Sequence, residues 1–177
     1  ANYIAFLRGI NVGGQKIITM ERLRQQFSSM GFTNVSSYIQ SGNILFSSPE
    51  TNRQLLTSTI LLKADHLDGI KLIYISTIIR TIDELNAILS DTAFSNCDKE
   101  TTKQYIAFFQ EEPKKPLSIP FFSPTKDLEV VKITRTEAYI VSHLVKGRYG
   151  FPNNFLEKEL DIVATTRNWN TLDKIIK

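Results

Sequence analysis

The order of secondary-structure patterns in the first 76 residues constrains the fold more than any other feature of this sequence. Short β-rich runs occur at residues 3–7, 35–39, 44–46 and 70–75, and amphipathic helical patterns follow the first and third of them. The predicted order is strand, helix, strand, strand, helix, strand. That order is typical of a ferredoxin-like fold, in which two helices cover one face of an antiparallel sheet.

Residues that start and stop helices agree with this order. Thr19 is a suitable N-cap for the first helix, and Gly31 is a suitable residue to end it. Thr51 begins a capping-box spacing for the second helix, which we expect to end near residues 68–69. The Ser41-Gly42-Asn43 string between the second and third strands tolerates positive φ angles, so we predict a tight hairpin turn there.

The second half of the chain repeats the theme less regularly. Its predicted elements, in chain order, are a helix capped by residues 81–84, a strand at 104–109, a proline-marked loop, a hairpin of strands at 128–133 and 138–145, and helices at 153–160 and 168–176. We therefore predict an α+β protein with two ferredoxin-like (α/β-plait) subdomains, residues 1–78 and 79–177, each built on an antiparallel sheet.

Composition narrows the class of protein. A chain of 177 residues with 42% hydrophobic content is large enough to bury a core. Its 21 Lys and Arg exceed its 18 Asp and Glu by three, a milder bias than a nonspecific nucleic-acid binder usually carries. No apolar run approaches the roughly 20 residues of a membrane span, and no signal sequence is visible. A single cysteine, Cys97, fits a reducing compartment. We therefore predict a soluble cytoplasmic protein that does not associate with membranes.

The densest polar motif is the loop after the first strand. Residues 7–16 contain three glycines, one Asn and two cations, and clustered glycines indicate positive φ angles or a backbone held open for a ligand. Gly9 and Gly14 have the GxxxxG spacing of a P-loop, but Gln15 and Lys16 occupy the positions that need Lys and Ser/Thr. The glycines do not form the dinucleotide motif GxGxxG either. We therefore expect neither a nucleotide hydrolase nor a dinucleotide-binding protein.

An anion-binding hypothesis for this loop remains. Its open amides, Arg8, Asn11 and Lys16 are suited to an anion, because Arg makes bidentate contacts with carboxylate or phosphate. The alternative is structural: the glycines allow a tight crossing against the hairpin, Arg8 pairs with an acid, and Asn11 bonds the backbone.

Two further polar motifs lie at residues 40–43 and 167–171. Gln40 and Asn43 flank a turn, where such side chains often satisfy backbone groups. In the second motif Asn168 is a natural N-cap, and Trp169 is a natural packing anchor. If the motifs meet in space, the candidate ligand-binding residues are Arg8, Asn11, Gly13, Gly14, Gln40, Asn43, Arg167 and Asn168. Arg167 is included because a helix N-terminus beside it favours an anion.

Other reactive side chains lack the neighbours that chemistry requires. His66 and His143 have no metal-ligand spacing around them, and Cys97 has no local His or basic cluster. We therefore predict no metal site and assign no catalytic residue. The cofactor is unknown, and the sequence leaves open whether the protein is an enzyme.

Three strings, at residues 7–14, 38–43 and 164–171, resemble the bacterial family catalogued as domain of unknown function 1697 (DUF1697). The resemblance spans essentially the whole chain. It implies two ferredoxin-like α/β-plait subdomains, and no activity is established for the family. The chain differs from the usual family pattern at Ser37, where Thr is common, and at Asp161, where Gly is common before the last segment.

We therefore favour a small-molecule or anion-binding protein whose partner carries phosphate or carboxylate. The first alternative is an RNA- or single-stranded-DNA-binding module that uses a ferredoxin-like sheet, although residues 44–46 lack the aromatic-rich RNP1 pattern. The second alternative is a protein-interaction or oligomerising module that uses Phe121, Phe122 and a sheet edge. The oligomeric state stays open.

Overall fold

The computed structural model describes residues 1–8, 18–39, 42–64 and 76–177. The chain divides into two compact units, Ala1–Glu84 (unit 1) and Leu85–Lys177 (unit 2). Each unit contains an antiparallel sheet with helices, so the predicted α+β class is confirmed. No helix in the described residues is long and apolar enough to cross a membrane.

Unit 1 has the strand order of a ferredoxin-like sheet. Its described elements are β1 (Asn2–Leu7), α1 (Met20–Ser29), β2 (Thr33–Tyr38), β3 (Asn43–Ser47), α2 (Arg53–Ala64) and β4 (Thr77–Thr81). The sheet order is β2-β3-β1-β4, and every pairing in it is antiparallel. This is the order that a βαββαβ chain produces when each helix crosses over one intervening strand.

The core of unit 1 follows from the apolar run of β1. Tyr3, Ala5 and Leu7 point to the face that packs with Leu23 and Phe27 of α1. The alternate residues of β1, Ile4 and Phe6, are also fully buried. Since both faces of β1 are buried and both of its edges are paired, it is the central strand of the sheet.

The structure confirms one of the helix N-caps predicted for unit 1 and corrects the other. Thr19 caps α1 as predicted, and its Oγ1 accepts the Arg22 N–H at 3.2 Å. The predicted cap at Thr51 is wrong by one residue. Asn52 Oδ1 accepts the N–H of Gln54 at 3.0 Å, and an Asn side chain caps at least as well as Thr.

The end of the first subdomain lies partly outside the described residues. This applies to the predicted end of α2 at residues 68–69 and to the predicted strand at 70–75. The strand that pairs with β1 at this side of the sheet is β4, Thr77–Thr81. Helix α3 (Ile82–Leu89) follows it directly and spans the point where the units divide.

Unit 2 repeats the strand order with a different crossover. Its elements after α3 are β5 (Thr102–Phe109), β6 (Phe121–Phe122), β7 (Leu128–Ile133), β8 (Glu137–Val145), β9 (Arg148–Tyr149), α4 (Asn153–Leu160), β10 (Ala164–Asn168) and α5 (Trp169–Ile176). The order β10-β5-β8-β7 matches β4-β1-β3-β2 of unit 1, with β6 added at the edge. Helix α4 connects β8 to β10, whereas a segment with four prolines connects β5 to β7. Proline lacks a backbone N–H and disrupts helices, which explains the missing crossover helix.

The end of α4 shows how this chain departs from the family pattern. Asp161 adopts the left-handed conformation with φ 51° and ψ 50°. Glycine adopts this conformation without strain, and Asp tolerates it better than most residues. The turn therefore forms at Asp161 even though the usual glycine is absent.

A tight turn before β7 depends on Asp127 and Gly150. The Asp127 carboxylate accepts hydrogen bonds from Ser123 Oγ at 2.7 Å and Thr125 Oγ1 at 2.5 Å. These bonds lower the pKa of Asp127 below its usual range, the bond from Thr125 contributing most. A Cβ atom on Gly150 would lie 2.4 Å from Asp127 Oδ2 and 3.2 Å from Leu128 Cδ2. The side chains of Asp127 and Leu128 therefore leave no room for a side chain at position 150.

We predict that Gly150→Ala lowers the free energy of unfolding by about 1–3 kcal/mol, because the new methyl group overpacks against the Asp127 carboxylate. Denaturant unfolding of the variant and of the wild type measures the loss. The Asp127→Ala background supplies the control, since the cost of Gly150→Ala should fall there. An equal cost in both backgrounds would show that Asp127 is not the source of the clash.

The capping box before α3 is confirmed and carries an ion pair. Thr81 N–H donates to Glu84 Oε2 at 2.8 Å, and Glu84 N–H donates to Thr81 Oγ1 at 3.1 Å. Arg53 Nη2 lies 2.7 Å from Glu84 Oε1. Burial raises the pKa of Glu84, but the hydrogen bonds from Thr81 and Arg53 outweigh it, and the pKa is lowered from 4.5. The charged carboxylate is therefore the form that stabilises this helix start.

We predict that Glu84→Gln lowers the free energy of unfolding at neutral pH by about 0.5–1 kcal/mol, since the ion pair is partly exposed. A lowered folded-state pKa means that the wild-type advantage is complete above pH 4.5 and disappears as pH falls through the folded-state pKa. Unfolding measured between neutral and acidic pH checks this, with Asp83→Asn as the matched control. A difference between Glu84→Gln and wild type that is independent of pH would contradict the assignment.

Candidate functional site

The described residues of two of the three polar motifs are neighbours at one end of the strands in the unit 1 sheet. We call this end of the sheet the Arg8 edge. Leu7 N–H donates to Gly42 O at 2.9 Å, and Arg8 N–H donates to Ser76 O at 2.9 Å. In the β1–β3 pairing Phe6 lies opposite Asn43. The end of β1, the turn between β2 and β3, and the start of β4 are therefore neighbours, and Arg8 is half-buried among them.

The first helix begins at the same edge. Strand β2 starts at Thr33, just after α1 ends. Thr33 pairs with Ser47, and Ser47 also pairs with Asn2, so α1 ends near the start of β1, away from Arg8. A helix of ten residues is about 15 Å long, comparable with the length of β1. The N-terminus of α1 therefore lies toward the edge that carries Arg8.

Asn43 has a structural role at this edge. Its side chain is fully buried, and Nδ2 donates to Tyr38 O at 3.3 Å. This bond spans the hairpin turn, which is the backbone-satisfying role weighed for Asn43 from the sequence. Gly42 has φ 76°, so the glycine supplies the positive φ that the turn requires.

Ile39 is an unusual residue in the same turn. Its φ is 49°, and 52% of its surface is exposed. A β-branched residue with positive φ is a strained outlier, and such strain clusters at functional sites. The turn therefore holds an exposed, strained apolar residue beside the polar motif.

Four of the predicted ligand-binding residues lie outside the described residues. They are Asn11, Gly13, Gly14 and Gln40. Arg8 and Asn43 are the described candidates from the first two motifs, and the β1–β3 pairing places Asn43 opposite Phe6, two residues before Arg8.

The third motif lies in unit 2, where local contacts occupy it. Asn168 caps α5, and its Oδ1 accepts the Asn170 N–H at 2.9 Å. The Asn168 side chain is also hydrogen-bonded to the hydroxyl of Tyr105, the residue opposite it in the sheet. The Trp169 ring packs edge-on against Phe94, with centroids 5.2 Å apart. Asn168 and Trp169 therefore fasten α5 to its unit.

Arg167 is a half-buried cation with local hydrogen-bond partners. Its Nη1 donates to Thr165 Oγ1 at 2.9 Å and to Thr166 O at 3.1 Å. Burial lowers the pKa of Arg167 to about 10. The guanidinium is therefore still charged at neutral pH.

Glu129 lies near two reactive side chains of unit 2, His143 and Cys97. His143 Nε2 lies 2.8 Å from Glu129 Oε2, a pairing that sequence reasoning missed because 14 residues separate the two. Burial, together with the negative charge of Glu129, raises the pKa of the Cys97 thiol. A thiol that stays protonated at neutral pH is a weak nucleophile. Among the described residues, which exclude His66, no cluster of His, Cys, Asp and Glu could hold a metal ion.

A shallow groove in unit 2 was also not foreseen. It has a volume of about 200 Å³ and lies between the proline segment and the β7–β8 turn, with Pro113, Pro116, Leu117 and Ile133 in its lining. This is below the roughly 300–1,000 Å³ of typical small-molecule pockets. The proline cluster was the available sequence signal, but the groove by itself indicates no ligand.

We predict that Asn168→Ala lowers the free energy of unfolding by about 1 kcal/mol, because the first turn of α5 loses its cap. Asn168→Asp should keep most of the stability, since Asp caps equally well and suits the helix dipole. Thermal unfolding of the two variants compares them directly. If both variants were as stable as wild type, the capping role of Asn168 would be wrong.

Comparison with known proteins agrees with this architecture. The sequence profile of a family described as "Protein of unknown function (DUF1697)" matches residues 1–139. A solved structure titled "The structure of conserved bacterial protein SP0830 from Streptococcus pneumoniae" is similar, with a TM-score of 0.67 and 23% sequence identity. The match covers 99% of this chain and 96% of that one, and at this identity it speaks for the fold alone. No curated protein matches the sequence.

Proposed function

The chain belongs to the DUF1697 family of proteins of unknown function, and we propose that it binds a small anionic ligand at the Arg8 edge of unit 1. The ligand carries a phosphate or carboxylate group. The binding residues that we propose are Arg8, which the structure describes, and Asn11, Gly13, Gly14 and Gln40, which lie outside the described residues. The proposal concerns binding, and we assign no reaction.

The hydrogen bond from Leu7 N–H to Gly42 O carries this proposal. It makes the residue before Arg8 a direct neighbour of the second polar motif. Arg8 and Gly42, which are 34 residues apart in sequence, thus lie at the same end of the sheet. A half-buried guanidinium is well suited to an anion, because the lower local dielectric strengthens charge-assisted hydrogen bonds.

Arg167 and Asn168 belong to a wider form of the proposal, in which the third motif serves the same ligand. Both residues already have local partners in unit 2 that account for their positions. Arg8 belongs to both forms of the proposal, so a variant at Arg8 tests both of them.

The nucleic-acid alternative is less favoured at the unit 1 sheet. Sheets that bind RNA in this fold present exposed aromatic rings on the face away from the helices. On that face of β1, Phe6 is fully buried, and so is Asn43 opposite it. Tyr38, opposite Asn43 on β2, is only half-exposed, so this part of the face presents at most one partly accessible ring among the described residues.

The protein-interaction alternative rests on Phe121 and Phe122, and the two differ. Phe121 stacks on Phe155 at 5.9 Å and packs against the unit 2 core. Phe122 is 44% exposed. One exposed ring gives this alternative less support than the Arg8 edge gives anion binding.

We predict that an anionic compound raises the melting temperature of the wild type and that Arg8→Ala abolishes the shift. The panel contains inorganic phosphate, nucleotides, phosphorylated metabolites and dicarboxylates. A ligand at about 100 times its Kd adds roughly 2.7 kcal/mol, which corresponds to roughly 5–10 °C for a protein of this size. Arg8→Lys should keep part of the shift, since it retains the charge but loses the bidentate fork.

The matched control is Arg135→Ala, which removes one cation whose side chain is 85% exposed in unit 2. This variant should respond to the ligand as the wild type does. An equal loss of response in both arginine variants would mean that only net charge matters. The absence of a shift with any compound would refute the proposal.

A further inference from the structure

Unit 2 displays an exposed apolar surface that its core does not explain. Phe151 is 60% exposed, more than any other large apolar side chain in the described residues, and Leu144 is 47% exposed. The Phe151 ring meets edge-on the ring of Tyr105, a buried residue at the margin of the unit 2 core, with centroids 5.6 Å apart and planes at 90°. Lys103 Nζ lies 4.4 Å from the centroid of the Tyr149 ring. We call these five residues, Lys103, Tyr105, Leu144, Tyr149 and Phe151, the Phe151 patch.

The sheet places the members of this patch on one face. Lys103 and Tyr105 alternate along β5, and Lys103 lies opposite Ser142 of β8. Leu144, two residues after Ser142, pairs with Tyr149 of β9. The side chains of Lys103, Tyr105, Leu144 and Tyr149 therefore project from the same face.

Local bonds hold the patch in shape. Lys146 and Gly147 both have positive φ, 49° and 74°, as a two-residue type I′ turn requires. Ser142 Oγ donates to Gly150 O at 2.7 Å, which fixes the chain directly before Phe151. The backbone that precedes Phe151 is therefore held in place by the hairpin turn and by this hydrogen bond.

Exposed cations outnumber acids around the aromatic rings. Lys103, Lys146 and Arg148 are all exposed, the last two at the tip of the β8–β9 hairpin. The nearby acids are Asp127, and Asp98 and Glu100 just before Thr101, whose carbonyl accepts the Leu144 N–H. Asp127 and Asp98 already accept hydrogen bonds from hydroxyl groups. The chain as a whole carries a net charge of +3. A partner that combines flat rings with negative charge complements this surface better than an uncharged apolar peptide does.

We propose that the Phe151 patch binds single-stranded nucleic acid. Bases stack on Phe151, while Lys103 and Lys146 neutralise the phosphates. This is the combination that sequence-tolerant single-strand binders use, since every base has a face that stacks on an aromatic ring. The site is independent of the anion-binding proposal for unit 1.

The test is fluorescence anisotropy with labelled oligo(U) and oligo(dT) of about ten nucleotides at about 50 mM salt. We expect the wild type to bind and Phe151→Ala to raise the Kd at least about fivefold, which corresponds to the lower end of base–aromatic stacking energies. Phe151→Leu should weaken binding in the same way, because Leu is apolar but cannot stack. Lys103→Ala should reduce the slope of log Kd against log salt by about 0.7.

Two controls remove a similar group elsewhere in unit 2. Phe122→Ala deletes another exposed ring, and Arg135→Ala deletes another exposed cation. Both should bind as the wild type does, and melting temperatures verify that every variant is folded. No binding by the wild type at low salt would overturn the proposal. So would unchanged affinity in both Phe151 variants, or equal affinity for duplex DNA, which would indicate charge attraction alone.

Discussion

Burial of β1 on both faces is the constraint on which the first unit depends. Residues 3–7 are at most 4% exposed, and β3 and β4 pair with the two edges of the strand. An apolar run without alternation does not select one register by its hydrophobic pattern, because a one-residue slip keeps both faces apolar. A side-chain bond near one end favours the observed register, because the Tyr3 hydroxyl donates to Glu50 O at 2.7 Å. In this register Leu7 N–H donates to Gly42 O at 2.9 Å, which sets Arg8 beside the hairpin turn.

The two units have the same strand order, although different segments connect their strands. In unit 1 a helix follows β1, whereas in unit 2 a proline-containing segment occupies the corresponding place after β5. The central strand of unit 2 is again buried on both faces, since Ile106 and Phe108 on one side and Ala107 and Phe109 on the other are at most 2% exposed. Pairing around a buried central strand, rather than the helix layer, is what the units have in common.

Local signals made most of the fold predictable, and non-local ones account for the errors. The capping box at Thr81 and Glu84 and the helix at 153–160 needed only neighbouring residues. Strand β10 was missed because Ala164–Asn168 is short and polar, and only its pairing with β5 makes it a strand. At the candidate site, the sequence identified Arg8 and Asn43 by residue type, but their adjacency depends on β-sheet pairing. The Phe151 patch was missed for the same reason, since it joins β5 to a hairpin about 40 residues later.

The central position of β1 and β5 also has a consequence for folding during synthesis on the ribosome. In each unit the first sheet strand pairs with the last, β1 with β4 and β5 with β10. A nascent chain therefore cannot complete either sheet until the final strand of that unit has left the ribosome. Until then one edge of a buried apolar strand is unpaired, and such edges invite association with other chains. Synthesis in two successive units limits this exposure, because the first sheet can close while the second is still being made.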